Sequence, residues 1–371
     1  MKFNTIFKYY RSNFFFEKAI RYNEIYFSET SELNDPHDLK VQFFFEDDPI
    51  LWEKVISLQT QMNGMNLGNW DLSIYFDSKN KTLLNELNNL FKGKEVVDIN
   101  SLNNLIDEKQ DDIRGIFSKY QNINVEENKF PPDIALKMVP ILLKDKLTKA
   151  LNHNIYSASF SKNPLSPLMW AHYADGFKGC VVIYEISNDK MLNLRHHYQA
   201  PIDRSESYKF TAVKYKNIDK QIPILQSAID KSNVLIDACL MKNSFWDYEE
   251  EYRLLTSIEI DTIKLAHTEN SKPSFRDRIM YHDSNAILGV IFGPRCTQEY
   301  KRKIQLIIGD SRKFNGDKPF LLFSTKLCST GILEIIEGNF INPKEDIELK
   351  RILKGNELNK YLIDLGILSR N

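Results

Sequence analysis

Two apolar segments near the C-terminal end constrain the fold more than any other feature of this sequence. AILGVIFGP (286–294) and PFLLFSTKL (319–327) have the β-branched and aromatic content of buried strands. The segment between them, TQEYKRKIQLIIGD (297–310), has the character of a helix. NIYSASFS (154–161) and KGCVVIYEI (178–186) also predict strands. We expect these strands to be buried together in one sheet.

The N-terminal segment predicts a strand, a helix and a second strand. TIFKYYRS (5–12) and EIYFSE (24–29) have the composition of strands, and FFFEKAIRYN (14–23) between them has that of a helix. Charged residues interrupt the apolar run here, so the segment is neither a secretory signal nor a membrane-spanning helix. We expect both ends of the chain to contribute strands to the same sheet.

The middle of the chain differs in composition from the segments on either side. Residues 47–150 are rich in Leu, Asn, Lys and Asp. Apolar residues recur there at helical spacing, at Leu83, Leu84, Leu87, Leu90 and Phe91. Residues 343–371 predict one or two charged amphipathic helices. The sequence therefore predicts a single α+β domain over residues 1–371, with a mixed, mostly antiparallel sheet, an all-helical insertion at 47–150 and a helical C-terminal extension.

Charge and cysteine content narrow the classes of function. The chain has 49 basic and 50 acidic residues, and its formal net charge of −1 gives no long-range field that would attract a nucleic acid or a membrane. The four cysteines lie far apart without a C-x-x-C spacing, which argues against a structural zinc site and a disulfide framework. We expect no metal, no membrane partner and a cytoplasmic location. The oligomeric state stays open.

The segment WDYEEEYR (246–253) crowds three carboxylates among aromatic residues. In an extended chain Glu249 and Glu251 point to one face, while Glu250 points to the other. Arg253 follows on the first face, so one interpretation is a surface ion-pair ladder of little energetic value. The competing interpretation is a carboxylate pair held against a ligand that carries several hydroxyl groups.

Three other polar blocks have a structural explanation when each is considered alone. LNDPHD (33–38) predicts a capped turn, because Asn and Asp side chains bond to nearby backbone and proline fixes φ. SASFS (157–161) places its three serines on one face of a strand, as a solvated face would. PLMWAHYADGFKG (167–179) sets one histidine among aromatic residues, which is more typical of a core residue than of a metal ligand.

Together, these blocks resemble a bacterial family catalogued as domain-of-unknown-function family 2971. The family's features are a K-Y-R strand, L-Y-F-S followed by N-D-P-x-D, S-F-S with a downstream M-W-A-H-Y-A, and W-x-Y-E-x-E-Y-R. The matching segments here are 8–11 (with an extra Tyr), 25–38, 159–174 and 246–253. The resemblance covers both ends of the chain but not the helical insertion.

The order of the blocks is also similar to the R-S-E pattern of ADP-ribosyltransferases, which use NAD as a substrate. That resemblance implies that Arg11 binds the pyrophosphate of NAD, a task suited to a planar guanidinium. It implies that Ser159 and Ser161 shape the nicotinamide pocket and that Tyr173 stacks on the nicotinamide. We therefore expect the sheet to bring Arg11, Ser159 and Glu251 into one cleft.

The same resemblance gives the two carboxylates of the acidic run catalytic roles. Glu251 would stabilise the positive charge that grows on the ribose as nicotinamide leaves. Glu249 would orient or deprotonate the acceptor, a protein or nucleic acid that the sequence does not identify. Such an enzyme would be a transferase or an NAD glycohydrolase, as in bacterial toxins and defence effectors.

Two alternatives from other functional classes stay open. The first is a non-catalytic nucleotide-sensing module of a bacterial defence system, in which side chains around the same cleft bind a nucleotide without chemistry. In this module Asn34, Asp35, Trp170 and Glu251 bind the nucleotide. His172 is a further residue expected at the nucleotide site. The second is a nucleic-acid-acting enzyme whose basic track includes Lys272, Arg276 and Arg278.

Overall fold

The computed structural model describes most of the chain. The described residues are 4–35, 37–61, 69–70, 72–122, 131–151, 155–217, 221–230, 233–257, 274–315, 320–341 and 352–368.

Helices and strands are mixed along the described chain, with a run of helices in its first half and runs of strands in its second. The helices are α1 (Phe14–Tyr22), α2 (Pro49–Ser57), α3 (Leu72–Tyr75), α4 (Lys81–Phe91), α5 (Ile99–Glu108), α6 (Gln110–Ser118), α7 (Pro132–Leu151), α8 (Pro167–Tyr173), α9 (Ile224–Ile229), α10 (Asn233–Cys239), α11 (Gln298–Asn315) and α12 (Gly355–Asp364). The strands are β1 (Thr5–Tyr10), β2 (Glu24–Tyr26), β3 (Gln42–Phe44), β4 (Thr60–Gln61), β5 (Asn69–Trp70), β6 (Glu95–Val96), β7 (Ile155–Ser161), β8 (Cys180–Glu185), β9 (Met191–Arg195), β10 (Glu206–Lys209), β11 (Thr211–Ala212), β12 (Lys214–Tyr215), β13 (Gln221–Pro223), β14 (Met241–Lys242), β15 (Glu251–Ser257), β16 (Ile279–His282), β17 (Ile287–Phe292), β18 (Phe320–Leu327), β19 (Leu333–Ile341) and β20 (Ile352–Leu353).

The main sheet joins the two ends of the chain. Its strand order is β11-β15-β7-β1-β8-β17-β18-β19-β20, so the N-terminal strand β1 lies near the middle between β7 and β8. The pair β17 and β18 is parallel, as expected for strands joined by a helical crossover, and the other neighbouring pairs are antiparallel. The predicted α+β class with a mixed, mostly antiparallel sheet is confirmed.

Strand β8 explains why the sequence there is apolar without alternation. Val182 and Tyr184 face one core, which α1 and α11 cover, while Val181 and Ile183 face another on the opposite side of the sheet. Both faces of this strand are therefore buried, and period-two alternation of polar residues is lost. In the second core α12 packs its buried leucines, including Leu358, against the sheet.

A third hydrophobic core lies among the helices α2 to α7. The predicted leucine spacing in α4 is correct, because Leu83, Leu84 and Leu87 are buried in this core. The segment 47–150 is not entirely helical, since short strands β4, β5 and β6 lie within it. Strand β6 pairs with β3, which precedes the segment, and β3 in turn pairs with β13. Residues Ile222–Cys239 contribute α9 and α10 to the same core.

The sequence predicts one or two helices in the C-terminal extension, from residue 343 onward. Residues 342–351 lie outside the described part of the chain, and the described tail consists of the short strand β20 and then α12. Among the helices in the ranges given above, none is long and apolar enough to cross a lipid bilayer.

Candidate functional site

The acidic segment is not extended, in contrast to the sequence prediction. Residues Ser244–Glu249 form a 3₁₀ helix, which begins at Asn243, whose side chain accepts a hydrogen bond from the backbone N–H of Phe245. Glu250 then adopts a left-handed backbone conformation with φ of 43°, and β15 starts at Glu251. A non-glycine residue in this conformation is uncommon and costs about 1 kcal/mol or more. This turn brings Glu249 and Glu251 together and leaves Glu250 exposed, so the predicted pairing is correct although its geometry is different.

These two carboxylates belong to a buried network of five charged side chains, whose other members are Asp38, Lys242 and Arg253. The ammonium of Lys242 lies 2.5 Å from Glu249 Oε2, 3.2 Å from Glu251 Oε2 and 3.4 Å from Asp38 Oδ2. The guanidinium of Arg253 donates to both oxygens of Glu251, at 2.8 and 2.9 Å. It also donates to both oxygens of Asp38, at 2.9 and 2.6 Å. The interpretation as a surface ion-pair ladder is therefore wrong, because every member is at least 90 % buried.

The serines of β7 do not form a solvated face. Ser157 and Ser161 are buried, and Ser159 is half-buried. In the antiparallel register Ser161 lies opposite Glu251 and Ser159 opposite Arg253, so the serines share the face of the charged network. Ser161 donates to the backbone carbonyl of Glu249 at 2.7 Å, which fixes the end of the 3₁₀ helix. Polar side chains on this face therefore hold the acidic segment in place.

The environment gives the two carboxylates opposite acidities. Burial and the nearby charge of Glu251 raise the pKa of Glu249 to about 7, although Lys242 opposes this rise. Burial alone would raise the pKa of Glu251 as well, but the charges of Arg253 and Lys242 outweigh it and lower the pKa to about 2. Tyr173 donates to Glu249 Oε1 at 2.5 Å, and burial together with this carboxylate raises the pKa of the phenol. At neutral pH the Glu251 carboxylate is therefore ionised, whereas Glu249 is present in both its protonated and its ionised form.

A cavity of about 230 Å³ opens beside the network. Strands β1, β7 and β15 are neighbours in the sheet, and Arg11 directly follows β1. Arg11, Ser159 and Glu251 all line this cavity, as expected from the sequence. The other predicted residues that line it are Asn34, Ser161, Tyr173 and Glu249.

The cavity also has a lysine that the sequence analysis did not select. Lys8 Nζ donates to the backbone carbonyl of Ser159 at 2.8 Å and lies 4.7 Å from the centre of the Phe160 ring. Burial lowers the pKa of this ammonium to about 8, against the opposing effect of Glu251. Within the described ranges neither Lys8 nor Arg11 forms an ion pair, whereas the lining carboxylate of Glu32 is paired with Arg278. Lys8 and Arg11 are thus two cations of the cavity lining that have no carboxylate partner among the described residues.

Three predicted residues lie outside the cavity. The side chain of Asp35 accepts a hydrogen bond from the backbone N–H of His37 at 2.9 Å, in the turn predicted for LNDPHD, and it lines a neighbouring cavity of about 850 Å³. Trp170 is fully buried, and its indole N–H donates to the carbonyl of Pro164. His172 is exposed at the end of α8, with its ring 6.2 Å from that of Tyr248. None of these three side chains would touch a ligand bound in the smaller cavity.

The structure does not present all the residues of the predicted basic track to a nucleic acid. Arg276 is exposed, but Arg278 is buried and donates to Glu32 at 2.9 Å, so it is not available to a phosphate backbone. Lys272 lies outside the described residues.

Besides Lys8, the sequence analysis missed two residues of the site, Lys242 and Asp38. Asp38 is the last residue of the block LNDPHD, so its position in a block that resembles a family was a usable signal. Lys242 precedes the acidic segment on the short strand β14 and has no sequence pattern around it that would distinguish it from a surface lysine. Only the fold shows that its ammonium lies between three carboxylates.

Residues 169–254 match the model of a family described as "Protein of unknown function (DUF2971)". The match includes most of α8, Lys242 and the acidic segment, so it supports the resemblance to that family over these residues. No curated protein and no solved structure matches the chain. The resemblance to ADP-ribosyltransferases therefore has no support from these comparisons.

Proposed function

We propose that the protein binds an NAD-like nucleotide in the 230 Å³ cavity and cleaves its nicotinamide–ribose bond. One observation carries the proposal: Arg11, Ser159 and Glu251, from three neighbouring strands, line the same cavity as Glu249. The cavity thus combines two cations, Lys8 and Arg11, that have no ion-pair partner among the described residues with two carboxylates whose pKa values differ. Titratable groups whose pKa values are pushed apart are typical of general acid–base sites.

Because their pKa values differ, Glu249 and Glu251 have different roles in the proposed reaction. In the proposed step the bond between ribose C1 and the nicotinamide nitrogen breaks, and its electron pair leaves with neutral nicotinamide. Glu251, ionised at neutral pH, stabilises the positive charge that develops on the ribose. The oxygen of water or another acceptor then bonds to C1, and Glu249 accepts the acceptor's proton.

The size of the cavity limits which part of the ligand is enclosed. Its volume of about 230 Å³ is smaller than the roughly 300–1,000 Å³ typical of ligand sites. A ribose with its nicotinamide ring would therefore lie inside, while the diphosphate would lie at the mouth. Arg11 is exposed there and can bind the diphosphate through two parallel hydrogen bonds.

The release of free nicotinamide from NAD tests this function. We expect release by the wild-type protein, and a loss of about a hundredfold or more in kcat for Glu249→Gln, which removes the proton acceptor and keeps its size. Glu250→Gln is the matched control, because that side chain is exposed and hydrogen-bonds Asn163 on the outside. If the wild-type protein releases no nicotinamide, or if the Glu249 and Glu250 variants lose equal activity, the proposed chemistry is wrong.

Non-catalytic binding of the same nucleotide is the second candidate, and one observation favours it. Arg253 and Lys242 already donate three hydrogen bonds to the Glu251 carboxylate, which limits its capacity to contact a ribose. A sensing module would bind ADP-ribose and NAD without releasing nicotinamide. Calorimetric titration of ADP-ribose alongside the nicotinamide assay separates the two candidates.

A further inference from the structure

Three exposed phenylalanines lie together beside the cavity. Phe14 and Phe15 at the start of α1 are 66 % and 62 % exposed, and Phe275 is 44 % exposed. The ring centre of Phe15 lies 6.3 Å from that of Phe14 and 6.5 Å from that of Phe275. We call these three residues the aromatic ledge. Exposed aromatic residues gathered in this way indicate a binding surface more than scattered ones do.

A set of fixed side chains connects the ledge to the cavity. The ring of Phe275 is stacked on that of Tyr26 with 4.7 Å between centres, and Arg278 lies 5.1 Å above the Tyr26 ring. The Tyr26 hydroxyl donates to Glu32 at 2.6 Å, and Glu32 lines the cavity. Phe275 of the ledge is therefore connected to the cavity wall through Tyr26 and Glu32.

The backbone provides a second connection through the exposed arginine at the mouth. Arg11 lines the cavity, and the backbone N–H of Asn13 donates to the Arg11 carbonyl at 2.9 Å in a tight turn. Asn13 then caps α1 by accepting from the N–H of Phe16. Only this short turn separates Arg11, which lines the cavity, from Phe14 of the ledge.

We propose that the aromatic ledge binds the adenine base of the nucleotide whose diphosphate is held at Arg11. This inference rests on the proposed function and extends it, because it identifies a dinucleotide with a purine base as the ligand class. The small cavity leaves the second half of such a ligand outside, and the ledge is an exposed apolar surface linked to the cavity through Arg11 and through Tyr26 and Glu32. Aromatic side chains bind bases by stacking on their π faces.

Titration of ADP and of inorganic pyrophosphate tests the ledge without requiring any cleavage. We expect wild-type protein to bind ADP about fivefold or more tightly than pyrophosphate, since stacking one base contributes about 1–3 kcal/mol. In Phe15→Ala/Phe275→Ala the ADP affinity should fall to that of pyrophosphate, while pyrophosphate binding should not change. Phe245→Ala is the matched control, because Phe245 is 70 % exposed and outside the ledge.

Equal affinity of the wild-type protein for ADP and pyrophosphate would overturn the ledge assignment, as would an unchanged ADP affinity in the double variant. If the double variant does not fold, Phe15→Ala alone gives the test, because Phe15 is 62 % exposed and its ring lies against the exposed rings of Phe14 and Phe275. This single change should weaken ADP binding about threefold or more. A dimer that the double variant abolishes, with ADP binding unaltered, would show that the ledge binds a second copy instead.

The nicotinamide assay distinguishes failure of this inference from failure of the proposed function. If nicotinamide is released from NAD and from nicotinamide mononucleotide with the same KM, the chemistry is correct and the ledge assignment is wrong. If nothing is released but ADP binding depends on the ledge, the base site is correct and the chemistry is wrong.

Discussion

Asp38 and Arg253, 215 residues apart in the sequence, form a bidentate ion pair in which the two terminal guanidinium nitrogens, Nη1 and Nη2, donate at 2.9 and 2.6 Å. The side chain of Asp38 is 3 % exposed and that of Arg253 is 0 % exposed. This pair joins the block LNDPHD to the acidic segment, so two blocks that look independent in the sequence form one structural unit. The helices of residues 47–150 are inserted between them along the chain.

Arg253→Met should destabilise the fold strongly. It removes the guanidinium that neutralises the buried carboxylates of Asp38 and Glu251, and breaking a buried ion pair in this way costs about 3–5 kcal/mol. Urea denaturation of the variant and of wild-type protein measures the difference in the free energy of unfolding. Lys214→Met is the control: its ion pair with Asp237 is exposed on both sides, so a change within about 0.5 kcal/mol is expected. A similar small change for Arg253→Met would mean that the network is not closed to solvent.

The strands of the main sheet could be predicted because their apolar runs leave little choice. AILGVIFGP and KGCVVIYEI contain β17 and β8, and burial on both faces makes these two strands almost wholly apolar. PFLLFSTKL contains β18, whose first four residues are apolar and buried. The membership of the helical core could not be predicted, because residues 222–239 join it from a distant part of the chain. Such packing is set by tertiary contacts that periodicity does not record.

The candidate site was predicted in part and for a partly wrong reason. Alternation in an extended strand gave the pairing of Glu249 and Glu251, whereas a left-handed residue between a 3₁₀ helix and a strand produces it. The pattern N-S-x-W at residues 243–246 carried the signal of a helix cap, since Asn is a preferred N-cap residue. Nothing local identifies Lys242 as the shared cation, because its partners converge only through tertiary structure.

Stability should depend on pH through Glu249 in a defined window. Its pKa is raised from the ordinary 4.5 to about 7, so between these values the folded state binds more protons than the unfolded one. The free energy of unfolding therefore falls as pH rises from about 4.5 to about 7, by on the order of 3 kcal/mol from this group. Glu249→Gln should remove this fall, which guanidinium denaturation at pH 5 and pH 8 measures.

Two further carboxylates, Glu250 and Glu251, serve as controls for the pH dependence of stability that we assign to Glu249. Glu250→Gln should keep the pH dependence of the wild-type protein, because that side chain is exposed. Glu251 has a lowered pKa of about 2, so its stabilising contribution is present above pH 4.5 and is lost as pH falls toward 2. A Glu249→Gln protein with the wild-type difference between pH 5 and pH 8 would contradict the raised pKa.

Anion binding should weaken at high pH because of Lys8. The pKa of its ammonium is lowered to about 8, so pyrophosphate affinity should fall as pH rises from 7 to 9.5. Lys8→Arg should retain affinity across this range, since a guanidinium stays protonated. The titrations are best done in the Glu249→Gln background, which removes the second group that titrates near the ligand. If Lys8→Arg loses affinity in parallel with the parent, Lys8 is not the titrating cation.

Gly179→Ala should impair both the fold and the mouth of the cavity. A Cβ at this position would lie 2.1 Å from the backbone oxygen of Tyr10 and 2.9 Å from the backbone of Ala174, and neither backbone can move freely. Tyr10 ends β1 opposite Cys180, and Arg11 follows it, so relief of the clash displaces the cation that we assign to the diphosphate. We expect a destabilisation of about 1–3 kcal/mol by urea denaturation and a weaker affinity for pyrophosphate by calorimetry.

Gly115→Ala is the matched glycine substitution, with the opposite sign. Gly115 lies inside α6, and an added Cβ there meets no atom within 4 Å. Alanine loses less conformational entropy than glycine on entering a helix, so this variant should be more stable than wild type by about 0.5–1 kcal/mol, with unchanged pyrophosphate affinity. A Gly179→Ala protein that is as stable and binds as well as the Gly115→Ala protein would show that β1 and β8 separate without cost. In that case the position of Arg11 would not depend on the close contact between these two strands.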